Sequence, residues 1–417
     1  MDFRRLSAEP LTHATLAEAL RQALVEELAV APRFDPTPQL DLAVIAFPEQ
    51  APPVWANVLW GCQWPQGLVA SIDAHQAGPV RNIAWFADPT DAQRNSIAWA
   101  PGADCTRLAG LPALAGDGPH QAIAPYPASL IKLMVAVGVA HLVDRGLADW
   151  HEPWTHAGIS RSVAEWAEPM ITVSSNEATS ALVALLHARG LIRRAADGSE
   201  HNGLHALFER SGLATLRLAR TRPDGGWLNR DGAGVGHLQM TAWDTARLLW
   251  CLLPGTWAEA PAAPWRPADA APLLSRASAA RLWGWLGDQA LHQVLSSTLV
   301  AGLPGWQPGI PAELPARWLQ ADGSARTGSG DDERYPPDIR PAQRAAQLRF
   351  AHKTGTTASY VSDAGWVTPM AMAGRRYLIA LIATLGNRHA PHPQAATPWC
   401  VPRIGARVDA WLMARLG

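Results

Sequence analysis

Ser129-Leu130-Ile131-Lys132-Leu133-Met134-Val135-Ala136-Val137-Gly138-Val139-Ala140-His141-Leu142-Val143 decides how the rest of this chain is read. The run is apolar on nearly every side, which places it at the buried centre of a helical lobe. Pro125 and Pro127 stand just before it and Gly146 just after it, the signals of a helix start and stop. Ser129 and Lys132 lie at positions i and i+3, so they share a face. A serine hydroxyl is a weak nucleophile until a neighbouring base takes its proton. A lysine buried among Leu130, Leu133 and Met134 is pushed toward the neutral amine that can take it. At the helix start the backbone N–H of Ser129 is free, and the helix dipole favours developing negative charge.

The basic residues single out the same position. Of 35 Lys plus Arg, only Lys132 and Lys353 are lysine. Arginine cannot give up its proton, whereas lysine can be tuned to neutrality by burial. Lysines that persist against so strong a drift to arginine suggest a chemical need for them. Lys132 closes an S-x-x-K, Ser129 to Lys132, and Lys353 opens a K-T-G, Lys353-Thr354-Gly355. With two lysines, the first arises by chance roughly 0.1 times and the second roughly 0.01 times at average residue frequencies. Between them lies Ser174-Ser175-Asn176, an S-x-N that is weak alone and completes an ordered set here.

The set resembles the class A β-lactamase and penicillin-binding protein superfamily of SxxK serine hydrolases, over roughly residues 36–417. The flanking text agrees: YPASLIKL at the serine, MITVSSNEATSALVALL at S-x-N and FAHKTGTTASYVSDAGWV at K-T-G. The resemblance implies that Ser129 forms an acyl-enzyme with Lys132 as its base. It implies that Ser174 relays a proton to the leaving nitrogen and that Asn176 binds a substrate amide. Lys353 would orient Ser174 and attract a substrate carboxylate, helped by Thr354 and Thr356, around the Gly355 backbone. The oxyanion hole would be the N–H groups of Ser129 and Thr356.

One loop departs from that pattern. Class A enzymes carry a water-activating glutamate in an E-x-x-L-N loop after the second motif. The matching stretch here is Arg222-Pro223-Asp224-Gly225-Gly226-Trp227-Leu228-Asn229, and no Glu occurs between Glu209 and Glu259. Asp224, Trp227 and Asn229 therefore mark a candidate deacylation loop, with Asp224 the one available carboxylate. Three readings follow. The first is a serine hydrolase or acyltransferase acting on an amide, peptide or ester. The second is a true β-lactamase with an unusual deacylation base. The third is a penicillin-binding sensor or scaffold without turnover.

The rest of the chain predicts an α+β fold. An antiparallel sheet would be built from both chain ends with flanking helices, and an all-helical lobe inserted between them. Thr15-x-x-Glu18 reads as a capping box opening a helix with Leu16, Leu20, Leu24 and Leu28 on one face. Residues 40–47 and 81–87 read as strands, and the Trp-rich stretch between them, with Trp55, Trp60 and Trp64, reads as a long hairpin insertion. Helices are expected near 161–168, 176–189, 203–211 and 241–253, strands at 349–356, 360–368 and 376–385, and a closing helix at 404–416. This divides the chain into an N-terminal helix, 1–35, and a catalytic domain, 36–417. Within the latter the sheet lobe takes about 36–115 and 349–417, the helical lobe about 116–318, and a polar insertion about 319–348.

Composition excludes other classes. A formal net charge of −1 offers no basic surface for a phosphate backbone, so nucleic acid is not an expected partner. The expected partner is a small-molecule or peptide substrate, and oligomeric state is not legible. No apolar run reaches the roughly 18 residues of a membrane span. The first 22 residues lack an apolar signal core, which predicts a cytoplasmic protein as the chain stands, or a periplasmic one had a signal been trimmed. Cys62, Cys105, Cys251 and Cys400 are scattered and read as buried small hydrophobes, with no disulfide framework. His201 with His205, and His389 with His392, lack a third ligand at metal spacing, so neither a metal nor a cofactor is expected.

Overall fold

Seven-residue strands buried on both faces need a layer on each side, and that requirement organises the molecule. The computed structural model describes residues 9–30, 34, 37–87, 113–195, 199–227, 238–253, 261–328, 333–335, 337–371 and 373–416. Three early strands are β1 Leu40–Ala46, β2 Val54–Gly61 and β3 Trp64–Val69. Three late ones are the K-T-G strand Leu348–Thr356, its neighbour Val361–Pro369, and Tyr377–Ala383. They form one antiparallel sheet in the order K-T-G strand, Val361–Pro369, Tyr377–Ala383, β1, β2, β3. Both chain ends thus build the sheet, as the sequence predicts.

Alternation along β1 and its partner separates two cores. Leu42, Val44, Ile379 and Leu381 pack on helices α1 His13–Val30 and α9 Cys400–Leu416. Ala43, Ile45, Leu378 and Ala380 face the helical lobe. That lobe comprises α2 Lys132–Asp144, α3 Val163–Thr172, α4 Asn176–Ala188, α5 Gly203–Arg210, α6 Ala242–Leu252 and α7 Arg276–Gly287. A short α8, Arg340–Ala345, lies before the K-T-G strand.

Several expectations are corrected. Helix α1 is not opened by Thr15 and Glu18. Thr12 caps it, accepting the Thr15 N–H at 3.1 Å, while the Thr15 hydroxyl accepts the Thr12 N–H at 3.0 Å. Glu18 pairs with Arg21 at 2.7 Å instead. The leucine face is as expected, since Leu16, Leu20, Leu24 and Leu28 are buried, and it rests on the sheet and not apart from it. The Trp-rich stretch is a hairpin, as expected, formed by β2 and β3, but it extends the main sheet and is not an insertion apart from it. The strand expected at 81–87 is β4 Ile83–Phe86, in a separate small sheet between β5 Ala113–Ala115 and β6 His120–Ile123. The segment between α7 and α8 sends Val294, Leu295, Ile310 and Ala312 into the core on the α9 side of the sheet. From the stretch read as a polar insertion, Ala325 and Ile339 join Leu299, Ala301 and Leu314 in a small core. Cys251 and Cys400 are buried free thiols, but Cys62 is exposed and disulfide-bonded.

Two capping devices seat the helical lobe. Ser162 and Glu165 form a reciprocal box at the start of α3, a device worth about 1 kcal/mol. Asp41, buried at the second position of β1, accepts the Ala242 N–H at 2.7 Å and the Asn57 side-chain amide at 2.6 Å. Burial pushes its carboxyl up to about 6, while those two donors pull the other way. Asp41 thereby pins the N-terminus of α6 to the centre of the sheet.

Candidate active site

The two prolines before Ser129 do not begin an α-helix directly. Residues Ala128–Ile131 form a 3-10 turn, and α2 starts at Lys132. Ala128 has φ of 49°, the left-handed region, which a non-glycine residue adopts only when its surroundings enforce it. The enforcing element is the K-T-G sheet edge. The Ser362 hydroxyl donates to Pro127 O at 2.6 Å. Gly355 lies so close that a Cβ built on it would stand 2.6 Å from Ser129 N and 2.7 Å from Pro127 O. Only glycine fits there. Gly355→Ala is therefore expected to push the Ser129 turn out of place and slow acylation more than about tenfold, the usual sensitivity to misplaced reacting groups. A rate constant of acylation within twofold of wild type, in a folded variant, would contradict this.

Lys132 is 1% exposed and its ammonium or amine end has four neighbours. Nζ lies 2.9 Å from Ser129 Oγ, 3.0 Å from Ser174 Oγ, 2.5 Å from Ser174 O and 2.8 Å from Asn176 Oδ1. The carbonyl and the amide oxygen can only accept, so they take two N–H bonds. The remaining position on nitrogen faces the two hydroxyls. In the neutral amine that position is a lone pair, open to the Ser129 O–H. Burial lowers the Lys132 pKa to about 7, with no carboxylate to oppose it.

The S-x-N motif is held by its own local chemistry. Ser174 has φ of 62°, a second strained residue at the site. Ser175, at the position where the resemblance would place Asp, is the N-cap of α4 and accepts the Ala178 N–H at 3.2 Å. Asn176 is then the first residue of α4, with its side chain turned to Lys132. Lys353, fully buried, donates to Ser174 Oγ at 3.0 Å and to Thr354 O at 2.7 Å. Burial and Lys132 both push the Lys353 ammonium down, while Asp363 holds it up. Each lysine nitrogen lies 3.0 Å from Ser174 Oγ, so the two stand no more than about 6 Å apart. Two ammonium groups at that separation repel by about 3 kcal/mol at an effective dielectric constant near 20.

Thus Ser129, Lys132, Ser174, Asn176, Lys353 and Gly355 come together from the turn before α2, the α3–α4 junction and the K-T-G strand. Thr354 is 2% exposed and sits across the ladder from Asp363. Strand alternation puts it on the face opposite Lys353. Thr356, at the strand's end, is half-buried and is the better-exposed hydroxyl of the two. Asp224 does not join this group in any described contact. It is engaged by its own neighbours, Arg222 and the Gly226 N–H, and its side chain is 56% exposed. The Arg222 guanidinium beside it lowers its pKa to about 2. Trp227 bridges back to Thr221 and packs on the helical-lobe core, and Gly225 abuts Ser180 O on α4. Asn229 lies outside the described residues. Among the described residues, no Asp or Glu side chain hydrogen-bonds Ser129 Oγ or Lys132 Nζ.

The sequence reading missed His352 and Asp363, fully buried behind the K-T-G strand. Their signal was available, because each is an ionisable residue interrupting an apolar strand.

No protein-family model matches the chain, and no curated protein matches it in sequence. Solved structures are similar in fold. PBP-A is 16% identical over 97% of this chain and 95% of its own, with a TM-score of 0.47. A β-lactamase from Xanthomonas campestris pv. campestris is 14% identical over 96% and 99%, with a TM-score of 0.46. A mutant of an ancestral Gram-negative class A β-lactamase is 17% identical over 94% and 96%, with a TM-score of 0.42. The class to which the fold is similar is that of the β-lactamases and penicillin-binding proteins. What the chain does is argued from its own site.

Proposed function

We propose that this chain is an SxxK serine hydrolase or acyltransferase that forms an acyl-enzyme on Ser129 from an amide, peptide or ester. The observation that carries the reading is the Lys132 amine, held by Ser174 O and Asn176 Oδ1 with its remaining position toward Ser129 Oγ. In the first half-reaction Lys132 takes the Ser129 proton as Oγ attacks the substrate carbonyl. The oxyanion develops beside the Ser129 and Thr356 N–H groups. Ser174, 3.0 Å from both lysines, passes a proton to the departing nitrogen or oxygen and is resupplied from Lys132. The C–N or C–O bond breaks and the acyl group remains on Ser129. In this reading Lys353 and Thr356 receive a substrate carboxylate, and Asn176 an amide. Water or another acceptor then attacks the ester and releases the acyl group.

Incubation with a fluorescent penicillin, followed by intact mass over time, tests the reading. A covalent adduct on Ser129 is expected, and absence of both adduct and ester turnover would sink it. The pH dependence is a further check. A lysine lowered to about 7 is mostly protonated below that pH and mostly amine above it. The acylation rate should therefore rise about tenfold per pH unit on the acid side and level off above about 7. A limb centred near the ordinary lysine value of about 10.4 would mean that Lys132 enters as an ammonium.

No helix among the described residues is long and apolar enough to cross a membrane. The Cys62 disulfide favours the periplasmic of the two expected locations, because disulfides persist in oxidising compartments. Alkylation of unfolded, unreduced protein should label Cys251 and Cys400 and spare Cys62. Labelling of Cys62 would remove that support.

A further inference from the structure

The K-T-G strand carries a buried ionisable pair on the face away from Lys353. His352 Nδ1 lies 2.7 Å from Asp363 Oδ1, and both side chains are fully buried. Asp363 Oδ2 accepts the Leu295 N–H at 3.0 Å. Phe350 stacks on the His352 ring at 4.1 Å, and His292 meets it edge-on at 4.5 Å. Among the described residues, His352 Nε2 has no hydrogen-bond partner. That orphan indicates where the proton sits. If Nδ1–H donates to the carboxylate, Nε2 is a bare lone pair. The other arrangement strands a buried N–H donor among apolar groups. Burial pushes the Asp363 carboxyl well above the usual range, but both of its oxygens accept hydrogen bonds, from the Leu295 N–H and from His352 Nδ1, which favours the carboxylate. As a carboxylate with a neutral His352 the pair carries one net negative charge, and among the described residues no Lys or Arg forms an ion pair with Asp363.

Lys353 follows His352 in the chain, and Thr354, the next residue, is the ladder partner of Asp363. We propose that the buried Asp363–His352 pair is the counter-charge that keeps Lys353 an ammonium and so leaves Lys132 as the lysine that gives up its proton. This rests on the proposed function only for the meaning of a neutral Lys132. The two lysines share Ser174 Oγ at equal distance and cannot both be charged without strong repulsion. Something must break the tie. Among the described residues the hydrogen-bond partners of Lys132 are all dipoles: two hydroxyls, a carbonyl and an amide. Lys353 has the anion behind its strand. The titratable groups facing one another here are Lys132 on α2, Lys353 and His352 on the K-T-G strand, Asp363 on its neighbour, and His292 from the segment after α7. Burial and the nearby His352 hold His292 neutral, so it adds no charge. Asp363 and His352 are thus positioning residues, acting on the reaction through Lys353.

Because the chain has only two lysines, the test is direct. Lysine labelled with 13C at Cε gives two NMR signals, assigned with Lys353→Arg and titrated against pH. In wild type the Lys132 signal should pass to the amine form first, with Lys353 following more than about one pH unit later. Asp363→Asn, nearly isosteric, should reverse that order or merge the two steps. His352→Leu should do the same, since it strips the carboxylate of its donor. His352→Asn, which keeps an N–H toward Asp363, should stay close to wild type. Lys353 losing its proton first in wild type overturns the proposal. So does an unchanged order in folded Asp363→Asn or, where that variant does not fold, in His352→Leu. Penicillin labelling is scored separately: its absence in wild type strikes the proposed function, whereas the titration order alone decides the counter-charge.

Discussion

Ser129→Ala is expected to abolish penicillin labelling and to lower ester or peptide turnover by on the order of 10⁴–10⁶-fold, as loss of a nucleophile does elsewhere. The protein should stay folded, because the one hydrogen bond described for Ser129 Oγ is that from Lys132 Nζ. A bond of that kind contributes only about 1 kcal/mol net. Lys132→Arg should be nearly as damaging, for a separable reason. Arg retains positive charge but cannot accept the serine proton, and its planar fork does not fit a site built around one nitrogen. Its place is 1% exposed, so the larger head must also displace Ser174 or Asn176. Intact mass after penicillin exposure, with circular dichroism to confirm folding, reads both variants. A labelled Ser129→Ala protein would remove Ser129 from the mechanism. Robust acylation of Lys132→Arg would make Lys132 a structural residue.

The second large effect concerns release of the acyl group. A chromogenic cephalosporin mixed rapidly with the protein should give a burst equal to the enzyme concentration, then a much slower phase. The reason is local. Acylation has a base at 2.9 Å from Ser129, but no carboxylate among the described residues reaches the serine to hold a hydrolytic water. Absence of a positioned general base costs on the order of 10²–10⁴-fold in the step it would serve. Asp224 does not fill the gap, because Arg222 and the Gly226 N–H hold it as a strongly acidic, exposed carboxylate. A group lowered to about 2 is ionised throughout the neutral range and is a poor proton acceptor. Asp224→Asn should therefore leave the slow phase unchanged. Steady turnover with no burst, lost in Asp224→Asn, would place that residue in the catalytic set and restore the β-lactamase reading.

Much of the site was legible before any coordinates because the chemistry is written in short spacings. Ser129 and Lys132 are three residues apart, which on one helical turn is contact distance. The rarity of lysine marked Lys132 and Lys353, and the tertiary structure places both on Ser174. Thr354 was less legible. Its neighbours in the motif face the cleft side, but strand alternation turns it toward Asp363. The capping residue of α1 was misread for a similar reason. Thr12 and Thr15 satisfy each other, so Glu18 is not needed at the helix start. Helix α7 went unread because Gly284 and Gly287 interrupt its apolar pattern, which weakens the periodic signal.

By itself, the sequence determined what depends on neighbours along the chain. That includes the Ser129–Lys132 spacing of the proposed nucleophile and base, the S-x-N and K-T-G stretches, the apolar helix that buries Lys132, and strands at both ends for one sheet. Only the tertiary structure decided what depends on groups far apart in sequence. It brought Ser174, 42 residues from Lys132, and Lys353, 179 residues from Ser174, to a shared hydroxyl. It left the Asp224 carboxylate exposed and out of contact with Ser129 and Lys132. It packed the buried Asp363–His352 pair on the K-T-G strand's other face, beside Lys353. Spacing within a helix or strand is set by local backbone geometry, whereas burial and the charge a group feels are set by whatever the fold packs around it.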